Sequence, residues 1–115
     1  LASAIYFEAR GETLAGQLAV GQVVVNRSQS GRFPQDYCGV VAQPGQFSFV
    51  SRGSIPAAPQ GSAAWQRATA IARIVHQDLW DSAAEDALYF HARRVRPQWA
   101  SRKLARAEID NHIFY

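Results

Sequence analysis

The chain has 115 residues, 48% of them hydrophobic and 18% charged, with no repeat or low-complexity tract. That composition fits a single globular domain over residues 1–115 and excludes a disordered chain or a solenoid. A formal net charge of +3 favours an acidic polymer as partner, but no nucleic-acid module accompanies the C-terminal arginines and aromatics, and no apolar run approaches the ~20 residues of a membrane span.

The first ten residues read as a helix that breaks at Gly11. Leu1, Ile5, Glu8 and Glu12 recur at 4-3-4 spacing along one stripe, so Glu8 lies in line with the apolar face. A carboxylate aimed into apolar surroundings has its charged form disfavoured and its pKa raised, as a general acid working near neutrality requires. The plainer alternative is a rim carboxylate paired with Arg10 or Arg27, and geometry alone favours it.

A second helix follows in "TLAGQLAVGQVVVNR", with Leu14, Leu18 and Val25 at helical spacing and Ala19 and Gly21 small enough to admit a neighbouring helix. Gln22 and Asn26 share one of its faces, where they either orient Glu8 or satisfy buried backbone. In "FPQDYCGVV", Pro34 marks the start of a short helix, and Cys38 reads as a small buried thiol with a structural role. The Gly and Pro punctuation of "QPGQFSFVSRGSIPAAPQG" gives loop, short strand and loop. Ser62 caps a helix in which Trp65, Ala68, Ile71, Ala72, Val75 and Leu79 form the inward stripe. "ALYFHARRV" and "NHIFY" read as strands of a small antiparallel sheet, with "FSF" as a candidate third. In the last strand Ile113 and Tyr115 share one face, and His112 and Phe114 the other. The fold class is α+β, helices first and a small sheet late, not a repeating βαβ unit.

Six segments, "AIYFEARGE", "GQLAVGQVVVNR", "FPQDYCGVV", "QFSF", "ALYFHA" and "NHIFY", resemble in the same order the SleB/CwlJ family of bacterial cell wall hydrolases. The resemblance implies a lysozyme-like or lytic transglycosylase-like catalytic domain that cleaves peptidoglycan at the glycan strand. It places the catalytic acid on Glu8, within a helix end similar to the E-x-x-G of goose-type lysozymes. A lytic transglycosylase needs one carboxylate, which protonates the glycosidic oxygen and then takes the C6 hydroxyl proton of muramic acid, closing a 1,6-anhydro ring. Hydrolysis ordinarily uses a second carboxylate across the bond. Glu12 reads as a structural group beside Glu8, and Asp110 stands where the family usually has glycine, so it is the candidate second carboxylate.

Sugar recognition calls for flat apolar faces edged by amide and hydroxyl groups. Gln46, Phe47, Ser48, Tyr89 and His91 are the candidate substrate contacts, with Phe90 turned into the core; Trp65 reads as core, Trp80 as a helix-end packer, and Trp99 as a stacking platform or lid. Other classes stay open: a zinc amidase using His91, His112 and Cys38, a Cys38–His91 peptidase of the peptide stem, or a non-enzymatic wall-binding module. No H-x-x-x-H or C-x-x-C spacing supports zinc, so no metal or cofactor is expected. The expected partner is the glycan strand, met by a monomer in the cell envelope, with any export signal outside this chain and a spore or phage context open.

Overall fold

The molecule is built around one helix that is buried on most sides. The computed structural model describes residues 1–115, with helices α1 (Ala2–Ala9), α2 (Leu14–Gln29), α3 (Tyr37–Ala42) and α4 (Ala63–His76). Then come β1 (Phe90–Ala92), a 3-10 helix (Gln98–Arg102), β2 (Ala107–Ile109) and β3 (His112–Phe114).

The central element is α2. Thr13 caps it by accepting from the Gly16 amide at 3.3 Å. Its apolar side chains point three ways: Leu18 and Val25 toward Ile5, Tyr6 and α4, Ala19, Val20 and Val23 toward Phe114, and Val24 toward Val40, Val41 and Phe47. A helix with apolar side chains on three sides belongs in the middle of a core. Gly21 lets the helices approach, as its sequence position suggests: a Cβ there would lie 3.0 Å from Ile5 Cδ1 and 3.3 Å from Val75 Cγ2.

Ser62 caps α4 as expected, accepting from the Trp65 amide at 3.1 Å, and Ala68, Ile71 and Val75 are buried. Leu79 lies beyond the helix end, 66% exposed, so the stripe is one turn shorter than expected. The cap of α3 is Asp36, accepting from the Gly39 amide at 2.6 Å, two residues after Pro34. Cys38 is exposed, contrary to the expected buried thiol, because Val40 and Val41 take the inward face of this short helix.

The sheet is antiparallel with β3 in the middle, order β1-β3-β2, and Phe114 faces Phe90 on one side and Ala107 on the other. His112 and Phe114 are buried while Ile113 and Tyr115 are half-buried, the alternation read from the sequence. "FSF" is not a strand. Its backbone closes turns, Gln46 N–H to Gln43 O at 3.3 Å and Val50 N–H to Phe47 O at 3.2 Å, while Phe47 packs on Phe49. The third strand is Ala107–Ile109.

The end of α1 does not depend on glycine conformation. Gly11 has no left-handed φ, and a Cβ there would meet nothing within 4 Å. The corner is held by Asp110, whose Oδ2 accepts from the Thr13 amide at 2.9 Å and the Thr13 hydroxyl at 2.6 Å.

Candidate active site

A cleft of about 490 Å³ opens between the end of α1, the turn at residues 45–48, β1 and the 3-10 helix. Glu8 reaches it from α1, and it is the one acidic side chain in the lining. Burial raises the Glu8 pKa above the ordinary carboxylate value. Neither pairing weighed from the sequence forms. Arg10 stacks over the Tyr6 ring at 4.8 Å, and Arg27 spends its Nε–H on the Leu88 carbonyl at 2.7 Å.

The other two carboxylates of this region are engaged elsewhere and do not line the cleft. The Glu12 side chain is only 8% exposed, with Oε1 2.7 Å from His112 Nδ1 and Oε2 accepting from Asn111 Nδ2 at 3.4 Å. That His112 nitrogen makes no well-directed hydrogen bond. Burial lowers the His112 pKa, against the raising influence of Glu12. Asp110 sits at φ +51, a left-handed conformation that favours glycine. Asp and Asn are the other residues that tolerate it, and here the carboxylate fixes Thr13.

Asn26 resolves toward backbone satisfaction. Its Nδ2 donates to the carbonyls of Glu85 at 2.8 Å and Ala87 at 2.9 Å, and its Oδ1 accepts from Gln22 at 2.9 Å. The neighbouring Arg27 extends the same stitch to Leu88 and is 4% exposed. Its guanidinium carbon lies 4.9, 5.9 and 5.8 Å from the ring centroids of Phe33, Phe47 and Tyr89. Sequence reading treated Arg27 only as a partner for Glu8. The signal that points to it is an arginine closing a Val-Val-Val-Asn run on a helix with little polar surface. Together the two side chains pin the irregular segment before β1, which delivers Tyr89 and His91 to the cleft.

Of the expected substrate contacts, Gln46, Ser48, Tyr89 and His91 line the cleft, and Phe47 does not. Phe47 is 4% exposed and packs with Ala4, Val24, Val40 and Val41, so its cleft assignment is corrected to core. In "QFSF" the turn directs Gln46 and Ser48 outward and the ring between them inward. Phe90 stacks on Phe114 at 5.5 Å and also reaches the cleft wall. His91 Nδ1 lies 2.7 Å from the Ala92 carbonyl, so it carries the proton, and Nε2 accepts from the Tyr115 hydroxyl at 2.9 Å. His91 therefore offers the cleft its ring, not a free nitrogen. Trp99 stands against it, with ring centroids 5.4 Å from Tyr89, 5.7 Å from His91 and 5.1 Å from Tyr115.

Cys38 is not part of this cleft, so the Cys38–His91 pairing of a stem peptidase does not form. No group of three or more His, Cys, Asp or Glu side chains is gathered as a metal site. No helix is long and apolar enough to cross a membrane.

A helical core, a small antiparallel sheet beside it and one half-buried acid in an aromatic cleft define a lysozyme-like α+β domain. The profile of the Cell Wall Hydrolase family matches residues 11–115, and the chain belongs to that family. A spore cortex-lytic enzyme of Bacillus subtilis (strain 168) is 34% identical over 99% of this chain. One from Bacillus cereus is 32% identical over the same share. The chain spans only 35% and 42% of the lengths of these two relatives. Among solved structures, the catalytic domain of the Bacillus cereus SleB protein superposes with TM-score 0.75 at 32% identity, covering 98% of this chain and 84% of that one. The catalytic domain of the germination-specific lytic transglycosylase SleB from Bacillus anthracis gives 0.77 at 31% identity, covering 98% and 88%.

Proposed function

We propose that this chain is a peptidoglycan-cleaving catalytic domain that cuts the N-acetylmuramic acid to N-acetylglucosamine bond as a lytic transglycosylase, with Glu8 as general acid and then base. The observation that carries this reading is the solitary acid: Glu8 is half-buried, its pKa is raised by burial, and no second carboxylate lines the cleft. An inverting hydrolase separates two carboxyl groups by about 6.5–9.5 Å and a retaining one by about 5–5.5 Å, both across the scissile bond.

In the proposed reaction the neutral Glu8 carboxyl donates its proton to the glycosidic oxygen as the bond to muramic acid breaks. The resulting carboxylate accepts the C6 hydroxyl proton while that oxygen closes on C1, and Glu8 is again protonated at the end. No water is consumed. Tyr89 and Trp99 give the sugar rings apolar faces, and Gln46 and Ser48 provide donors and acceptors at the rim. Glu12 and Asn26 serve as positioning residues, one tying α1 to β3 through His112 and the other fixing the approach to β1. The site of action is the cell envelope. Mass spectrometry of purified peptidoglycan digested by this protein tests the reading: 1,6-anhydromuramic ends are expected, new reducing ends would replace it with hydrolysis, and freed stem peptides would move the cut to the amide or peptide bonds.

A further inference from the structure

A second hollow, of about 420 Å³, shares Tyr89 with the acid-bearing cleft. Three cations surround it: Arg32, Lys103 and Arg106. Arg106 is paired with Asp86 at 2.9 Å, whereas neither Arg32 nor Lys103 has a carboxylate within ion-pair distance. Lys103 is placed rather than loose, with Nζ 4.2 Å from the centroid of the shared Tyr89 ring. Leu104, 90% exposed, adds an apolar edge.

Two unpaired cations beside an apolar edge call for an anionic, partly apolar ligand. The glycan backbone does not supply the anion, since its sugars are neutral and the lactyl carboxyl of muramic acid is tied up in the amide to the stem. Fixed negative charge sits on the stem peptide, in its side-chain and terminal carboxylates, a few bonds from the sugar being cut. On the glycan-cleaving reading above, on which this inference rests, a muramic acid seated in the cleft sends its stem off to one side. The hollow next to Tyr89 is where cationic groups await it. We propose that this hollow is a stem-peptide subsite, in which Arg32 and Lys103 bind stem carboxylates and bias the domain toward peptide-bearing over bare glycan.

The test uses the double variant Arg32→Gln and Lys103→Gln, which removes both charges and keeps aliphatic cover on the Tyr89 ring; its melting temperature confirms folding. Two substrates are compared, stem-bearing peptidoglycan and the same glycan stripped of stems by an amidase, with the lactyl carboxyl that the amidase frees capped as its neutral methylamide. Exposed charge pairs contribute about two- to five-fold each, so KM on stem-bearing glycan is expected to rise roughly ten-fold with kcat little changed, and to stay constant on bare glycan. Equal changes on both substrates, or none on either, would overturn the subsite. A binding arm separates this inference from the catalytic reading: free tetrapeptide stem is titrated into the parent and observed by NMR. Binding that shifts residues around Tyr89 and disappears in the double variant supports the hollow even if no glycan is cut. Equal binding of a stem whose carboxylates are amidated, or no binding at all, counts against it.

Discussion

Replacing Glu8 with Gln is the sharpest perturbation of this cleft, because it preserves shape and hydrogen-bonding capacity and removes only the transferable proton. No protein hydrogen bond or ion pair to the carboxylate is lost, since Arg10 and Arg27 are engaged with Tyr6 and Leu88. Loss of a general acid typically slows turnover by ~10²–10⁴-fold, which is about 3–5 kcal/mol of transition-state stabilisation at 1.36 kcal/mol per decade. Stability should move the other way. Burial raises the Glu8 pKa in the folded protein above its ordinary value of 4.5, so the folded state holds the proton more tightly than the unfolded state. The parent therefore loses stability as pH rises from the unfolded value through the folded one, and beyond it carries the full burden of a desolvated charge. The Gln variant has no such charge and should be at least as stable as the parent at about pH 7.5, the gap closing near pH 4. Parental activity should also decline as pH rises past the raised pKa, when Glu8 no longer starts protonated. Product quantification and urea melts at the two pH values check all three. A variant that digests peptidoglycan at near the parental rate, or that is less stable than the parent at the higher pH only, refutes the assignment.

Arg27→Met removes a charge-assisted hydrogen bond to the Leu88 carbonyl and the cation among three rings, so a loss of about 2–4 kcal/mol is expected in denaturant midpoints. Arg27→Lys should not restore it, because a point ammonium lacks the planar fork; full stability of the Lys variant would remove Arg27 from this role. Gly21→Ala gains about 1 kcal/mol of helix propensity but forces a methyl against Ile5 and Val75, both buried, so a net loss of about 1 kcal/mol is expected by thermal melting, and a gain would show the helix crossing to be looser than 3.0 Å implies. His112 has its folded pKa lowered by burial from 6.5, so the parent is stable above that value and loses stability as pH falls below it. His112→Gln should flatten that acid slope between about pH 7.5 and 5, and parallel slopes for the two proteins would mean that other groups set it.

The helices were legible in the sequence because they rest on periodicity and caps, whereas the role proposed for Glu8 came from the family resemblance, not from its spacing. The stripe of α4, the Ser62 cap and the tolerance at Gly21 are local consequences of residue type, and the structure reproduces them. The sheet was only half legible. Ala107–Ile109 is three residues long and flanked by Arg106 and Asp110, too short for alternation to stand out, while "FSF" carries the aromatic content of a strand and is spent on a turn that buries Phe47. The stitch made by Arg27 escaped the sequence reading, and the two roles open to Asn26 could not be separated, because their partners are backbone carbonyls about sixty residues away, and carbonyls leave no mark in a sequence. Cys38 failed for the opposite reason: apolar neighbours in sequence said nothing about which face of a six-residue helix it would occupy.

Three carboxylates lie close together in this molecule, and their partners, not their type, separate them. Asp110 accepts from Thr13 and fixes the start of α2, while Glu12 lies buried against His112 and Asn111. Both are committed to holding the corner between α1, α2 and the β2–β3 turn. Glu8 alone has neither an amide nor a cation to stabilise its charge, and desolvation is the single cause of its shift. A base for water or a nucleophile for the sugar would have to be an ionised carboxylate with a free face in the cleft, and neither Glu12 nor Asp110 lines it. In the proposed reaction the Glu8 carboxylate left after protonation of the glycosidic oxygen is the base of the cleft, and it takes its proton back from the substrate itself. The C6 hydroxyl is the substrate group that both releases a proton and closes the ring, so the proposed reaction ends in an anhydro product.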